Sequence, residues 1–169
     1  MGIMIKNLLI AFACIAMSGC VTGPVESLHG LEVGESLPDF SVTMTDGTVA
    51  DNASLSGSVA IVAFFRTTCP DCQQELPALQ RVYDEFPDVK VVLISVGEGE
   101  SSISDYWVKN SLTLPYSVQA DRAVAQAFKV SAVPQVYVCD DGVVRFVHSD
   151  NPIATYEQLE QELNQLLKR

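Results

Sequence analysis

Basic residues are scarce in this chain: 10 Lys and Arg stand against 21 Asp and Glu, a formal net charge of -11. A surface with that balance repels phosphate, which argues against nucleic acid as a partner and against electrostatic binding to anionic lipid. Histidine is scarcer still, with two copies, and cysteine has five. Five cysteines are too few for a disulfide scaffold. A zinc site needs about four ligands, yet beyond the pair Cys69 and Cys72 only Cys139, His29 and His148 remain, with no second C-x-x-C. No metal and no cofactor are therefore expected. The apolar run near the N-terminus, Leu8 to Met17, is too short to span a bilayer as an anchor helix. Internal repeats and low-complexity tracts are lacking as well.

What the chain does have is a pair of thiols at a strand-to-helix handover. Val59 to Phe65 is apolar without alternation, as a strand covered on both faces should be. A helical pattern starts at Gln73, and Cys69-Pro70-Asp71-Cys72 lies between the two. One turn of helix brings two sulfurs so spaced within bonding reach, while the unpaired N–H groups and positive dipole of the helix start favour a thiolate at the first cysteine. Cys69 is thus the candidate nucleophile for reversible disulfide chemistry. Asp71 between the cysteines and Glu75 one turn on bring negative charge close to the forming thiolate, which raises a thiol pKa. Taken as a residue alone, Glu75 fits equally well as an acid facing solvent in the first turns of a helix.

Along the chain, Lys6, the apolar run and the small residues before Cys20 form a targeting segment over residues 1–19. Residues 20–32 read as a Gly, Pro and Ser-containing tether, and 33–169 as one domain. Asp39 to Met44 alternates apolar and polar, and Asp46-Gly47 then leads to a weaker run from Val49 to Leu55, which signals a hairpin. After the cysteines, Leu76, Leu79, Val82, Tyr83 and Phe86 fall on one helical face, with Pro77 expected to kink the helix. Val89 to Val96 is a second buried strand, parallel to the first across that helix. Ser101 to Ser111 is a weaker helix carrying a packed Trp107, and Pro115 to Ala120 a short strand. Asp121 is the expected cap of a helix from Arg122 to Phe128. Gln135 to Cys139 and Val143 to His148 form a hairpin around Asp140-Asp141-Gly142, with Cys139 as a small buried hydrophobe. Thr155 and Gln158 make a capping box for a last helix with the stripe Leu159, Leu163 and Leu166.

A strand, C-x-x-C, a helix with an internal proline, a strand, a helix, Val133-Pro134 before a hairpin and a closing helix together resemble thioredoxin. The opening hairpin and the segment from Gly97 to Ala120 resemble the membrane-tethered TlpA/ResA branch of thioredoxin-like proteins, over about Val33 to Leu167. The most specific part is C-x-x-C-x-x-E-x-P at Cys69, Cys72, Glu75 and Pro77, together with Pro134. This resemblance implies an α/β fold, a central mixed sheet flanked by helices, with an N-terminal β-hairpin and a central insertion. It implies that Cys69 attacks, that Cys72 resolves, and that the two form the redox-active disulfide. Pro134 would be a cis-proline facing that disulfide, Val133 would pair with an extended substrate segment, Pro70 and Asp71 would border the substrate, and Glu75 would handle protons. Thr67-Thr68 departs from the family pattern, which has an aromatic just before the first cysteine, and Ala132 stands where a glycine is usual. Met17-Ser18-Gly19-Cys20 resembles a bacterial lipobox, implying cleavage before Cys20 and a lipid on its sulfur. The alternative is a simple secretory signal cut near the same place.

Three functions fit these residues. The first is a thiol-disulfide oxidoreductase acting on disulfide-containing protein clients outside the cytoplasm, reducing them and recharged by a membrane thiol donor. The second is a peroxiredoxin-like peroxidase, although the Pro-x-x-x-Thr/Ser-x-x-Cys pattern is absent and no proline stands close before Cys69. The third is a binding module that kept the fold without turnover. The anchor is testable on its own. Stable attachment needs two or more acyl chains, so Cys20→Ala is expected to release the protein from the membrane fraction. An unchanged membrane share would rule the lipid anchor out.

Overall fold

The structure, a computed structural model, describes residues 30–168; the targeting segment, Cys20 and His29 lie outside the described residues. Gly30 and Leu31 are both buried, and the Leu31 amide donates to the Tyr137 hydroxyl at 3.1 Å. A short antiparallel hairpin follows, β1 (Ser41–Thr43) and β2 (Val49–Asp51), with Val42 opposite Ala50. Those two are buried while their neighbours face outward, the period of a sheet with one covered face. Gly47 turns the hairpin at φ 84°, a left-handed backbone that favours glycine.

The run from Val49 to Leu55 is not extended throughout, as its apolar content suggested. At Asp51 it becomes a helical turn, α1 (Asn52–Leu55), because Asp51 and Ser54 form a reciprocal cap: the Asp51 carboxylate accepts from the Ser54 amide at 2.7 Å, and the Ser54 hydroxyl accepts from the Asp51 amide at 2.8 Å.

The centre of the molecule is β3 (Val59–Phe65), buried at every position. Helix α2 (Pro70–Glu85) leads from it to β4 (Lys90–Ser95), which runs parallel to it in the register Ala60 to Lys90 through Phe65 to Ser95. Then come α3 (Glu100–Asn110), β5 (Tyr116–Ser117) parallel to β4, and the short α4 (Ala123–Ala127). Asp121 does not occupy the cap position itself, which falls on Arg122; it accepts the Ala123 amide at 3.0 Å from one residue earlier. The chain closes with the antiparallel pair β6 (Gln135–Asp140) and β7 (Val143–His148) and with α5 (Tyr156–Leu167), capped by Thr155 and Gln158 as expected. Strand order is β5-β4-β3-β6-β7, a mixed five-stranded sheet with the hairpin separate from it.

Both sheet faces are covered, which is why β3 shows no alternation. Ile61, Ala63 and Phe65 pack with Leu76, Leu79 and Val82 of α2, Ile103 and Trp107 of α3, and Leu159, Leu163 and Leu166 of α5. On the other face Ala60, Val62 and Phe64 meet the hairpin, Leu55, Ala125, Phe128 and Tyr137. Tyr83 leaves the expected apolar face of α2 and is 39% exposed. Helix α2 continues through Pro77, whose missing N–H deprives the Gln73 carbonyl of its usual donor. Each edge of the sheet is shielded: residues 34–37 bond to the start of β7, and Thr45 of the hairpin bonds to Tyr116 of β5.

Candidate active site

Strand β3 delivers the chain to the carboxyl end of the sheet, where loops of an α/β fold gather ligand-facing groups. Arg66, Thr67 and Thr68 make the turn, and Cys69 becomes the N-cap of α2. Its sulfur accepts from the Cys72 amide at 3.4 Å, so the helix start turns one of its unpaired donors on this atom. The same thiol lies 3.4 Å from the Val133 carbonyl, to which it donates. Pro70 opens the helix, where no N–H is needed, and is exposed; Asp71 sits half-buried in the first turn.

Three residues on, Cys72 points inward and is 1% exposed. Burial pushes its thiol far above the ordinary value; the Arg66 backbone amide partly offsets this, and Cys69 and Glu75 push it further up. Glu75 shares that inner face, as spacing of three on a helix requires, and is 2% exposed. Its carboxylate accepts the Ala154 amide at 2.9 Å. Burial pushes the Glu75 carboxyl up to about 7, against the Ala154 N–H and the charge of His148, which pull it down. The Val133–Pro134 peptide bond is cis, with Pro134 buried and Val133 half-buried beside Cys69. One more cis bond, Asn151–Pro152, lies in the connection that leads to Ala154.

The structure therefore gathers Cys69, Cys72, Glu75, Val133 and Pro134 at one place, with Pro70 and Asp71 at its rim. It also brings in groups that the pattern of the sequence did not single out. Glu98, in the loop after β4, takes both the amide and the hydroxyl of Thr67, each at 2.7 Å, while Gln73 Nε2 donates to the Thr67 carbonyl at 2.7 Å. These bonds hold the turn before Cys69. The signal was present in Gly97-Glu98-Gly99, a flexible loop with one acid leaving the strand next to β3, but only the parallel pairing of β3 and β4 places it there. Cys139 is fully buried in β6 opposite Ala60, and burial pushes its thiol up to about 12. A groove of about 190 Å³ runs along Pro134 between Ser131, Gln135, Ser149 and Asp150. The recess of about 290 Å³ under the hairpin is lined by Lys90 and Pro115, at the opposite end of β4 from the cysteines.

Comparison with known proteins fits this geometry. The sequence model of the AhpC/TSA family matches residues 33–147. The thioredoxin-like protein YneN of Bacillus subtilis is 26% identical over 140 residues, covering 80% of this chain and 81% of its own. Thiol-disulfide oxidoreductase ResA of Bacillus cereus is 24% identical over 140 residues, covering 80% and 79%. Among solved structures, a putative protein disulfide isomerase from Bacteroides thetaiotaomicron superposes with a TM-score of 0.73 at 21% identity, covering 83% of this chain and 94% of its own.

Two outcomes are expected from the site as described. Brief alkylation of the reduced protein near neutral pH, mapped by mass, should label Cys69 first, because Cys72 and Cys139 are buried and their thiols are held protonated. Equal rates at Cys69 and Cys72 would contradict this. The second concerns Glu75, whose carboxyl binds its proton more tightly folded than unfolded. Its contribution to stability is full below pH 4.5 and is lost as pH rises through about 7. Denaturant titrations should show a loss of roughly 3 kcal/mol from this group across that window, and Glu75→Gln should flatten the slope.

Proposed function

The chain belongs to the AhpC/TSA family, and from that premise we propose that it is a thiol-disulfide oxidoreductase, lipid-tethered outside the cytoplasm, that reduces disulfides of protein clients. One observation carries the reading: a half-exposed Cys69 sulfur at a helix N-terminus, with Cys72 and Glu75 buried together behind it. In the first step the Cys69 thiolate attacks one sulfur of the client disulfide. A Cys69–client bond forms, the client S–S bond breaks, and the second client sulfur leaves as a thiolate that takes a proton from water. In the second step Cys72 gives its proton to the Glu75 carboxylate and attacks the Cys69 sulfur. The Cys69–Cys72 disulfide forms, and the first client sulfur leaves as a thiolate. Two electrons have moved to the client, and the protein dithiol is oxidised.

A carboxyl that titrates at about 7 suits the second step, because it accepts a proton near neutral pH and can return it when the dithiol is restored. An extended client segment would lie along the Val133 backbone and the groove beside Pro134, with Pro70 and Asp71 at its border. Burial and charge support the reducing direction: burial and Glu75 both disfavour a Cys72 thiolate, so the reduced form gains little from ionisation, which favours the disulfide. Such a reductant needs a thiol donor at the membrane to restore it. The name of ResA, a thiol-disulfide oxidoreductase, supports this chemistry. A peroxidase reading gains support from the family model, but the turn before Cys69 carries Thr67 and Thr68 with no proline close before it.

The purified protein should reduce a disulfide-bonded test protein and leave hydrogen peroxide unconsumed. Cys72→Ser should accumulate a mixed disulfide through Cys69, from which a client can be identified. Equilibration with glutathione should place the potential nearer the about -270 mV of thioredoxin than the about -120 mV of DsbA; a value above about -170 mV would overturn the reductase direction. The pair Asp71→Asn, Glu75→Gln should raise it.

A further inference from the structure

The turn from Arg66 to Cys69 decides where the outer sulfur sits, and it closes on one backbone bond, from the Cys69 amide to the Arg66 carbonyl at 3.2 Å. Connections closed so lightly are more mobile than the elements they join. Here the middle of the turn is gripped from both sides. The Thr67 carbonyl accepts from Gln73 Nε2 of α2 at 2.7 Å. The Thr67 amide and hydroxyl both donate to Glu98, one to each carboxylate oxygen, each at 2.7 Å. Thr67 is 6% exposed, so its polar groups depend on these partners and not on water.

The grip has a footing of its own. Past the end of β4 the Val96 amide donates to the Phe65 carbonyl at 3.1 Å, and Arg66 Nε donates back to the Val96 carbonyl at 2.6 Å. The Gly97 amide donates to the Gln119 carbonyl at 2.9 Å, and the Gln119 amide to Ser95 Oγ at 2.8 Å. Gly97 takes φ 68°, a backbone that favours glycine, and the residue after it, Glu98, reaches Thr67. The cysteine turn is thus fastened to the segments that follow β4 and β5, and not only to its own helix.

What the fastening places is a sulfur. Thr67 lies two residues before Cys69, whose thiol stands 3.4 Å from the Val133 carbonyl, on the backbone assigned above to a client segment. Attack on a docked disulfide needs the two sulfurs aligned, and a misplacement of about 1 Å costs on the order of a hundredfold in rate. We propose that Glu98 is a positioning residue: through its two bonds to Thr67 it keeps the Cys69 sulfur beside Val133, where a docked client disulfide is met. Both bonds go to uncharged groups, so Glu98 acts by geometry and not by its charge. This rests on the reading of Cys69 as the thiol that attacks a docked client. A merely structural Glu98 would brace the whole domain and leave Cys69 as it is.

Full-chain variants separate these. A glutamine can repeat both bonds without the charge, its Oε1 taking the Thr67 amide and its Nε2 donating to the Thr67 hydroxyl. In reduction of a disulfide-bonded test protein, Glu98→Ala should lower kcat about tenfold or more with KM little changed. It should slow the reaction with oxidised glutathione, which needs no docking along Val133, far less. Glu98→Gln should stay within about threefold of the parent. Thr67→Val keeps the amide bond and loses the hydroxyl bond, so its kcat should fall between, and adding it to Glu98→Ala should cost nothing more. Parental kcat in Glu98→Ala, equal losses for test protein and glutathione, or a glutamine variant as slow as the alanine one would each overturn the proposal.

Amide hydrogen exchange decides without turnover. In Glu98→Ala the Cys69 and Cys72 amides should lose protection while those of β3 keep theirs. Unchanged protection at the cysteines would overturn the proposal, and so would a loss spread through the domain, which marks a structural brace. Should Glu98→Ala not fold, Thr67→Val is read by the same measurements against the same outcomes. A parent with the expected exchange that reduces no disulfide would instead refute the functional reading, while the exchange data still show what holds Cys69.

Discussion

A carboxyl group shut away from water must be neutralised or compensated, and Glu75 meets that requirement with one backbone amide, that of Ala154. This bond ties α2, which carries the cysteines, to the start of α5, which closes the core over the same face of the sheet. Because a single amide compensates a buried charge only in part, the carboxyl is left poised near neutrality instead of being locked as an anion. The interaction that completes the fold is thus the one that makes the site responsive to protons. Removing the carboxylate would relieve the burial penalty and at the same time take away the one carboxyl that titrates near neutrality next to Cys72.

The two thiols differ through their surroundings. Cys69 stands outside the first turn of α2, reached by an amide donor and facing the Val133 carbonyl, and it remains half-exposed. Cys72 lies within the helix and within the core, where a thiolate finds little help. Nothing in the chemistry of cysteine distinguishes them; the distinction is where one turn of helix places each relative to solvent. The turn that aims them is held by Glu98 from the loop that follows β4.

Membership of a family with more than one chemistry leaves function to be argued from the site. Here the argument comes from a half-exposed thiol at a helix start, a buried thiol three residues on, and a buried carboxyl on the same inner face. The acidic balance of the chain, -11 overall, disfavours binding to phosphate surfaces.

Local patterns carried the strands, most helices and the cysteine pair, because each depends on neighbours within a few residues. Val59 to Phe65 could only be a strand covered on both sides, Thr155 and Gln158 could only start a helix, and Cys69-Pro70-Asp71-Cys72 had its meaning from the handover between strand and helix. The resemblance to thioredoxin-like proteins supplied the mixed sheet with its hairpin and extra segment, and drew attention to Glu75 and Pro134. Short-range chemistry misled the strand reading at Asp51, where a reciprocal cap outweighed an apolar run, and at Tyr83, which keeps helical spacing but not burial. Contacts across 31 residues from Thr67 to Glu98, 79 from Glu75 to Ala154 and 14 from His148 to Glu162 belong to tertiary structure alone. Whether Glu75 is a solvated helix acid or a buried proton acceptor is a question of what covers it. That covering includes Ala154, just ahead of α5 near the far end of the chain, so the sequence around Glu75 could name the group while only the packed fold buried it.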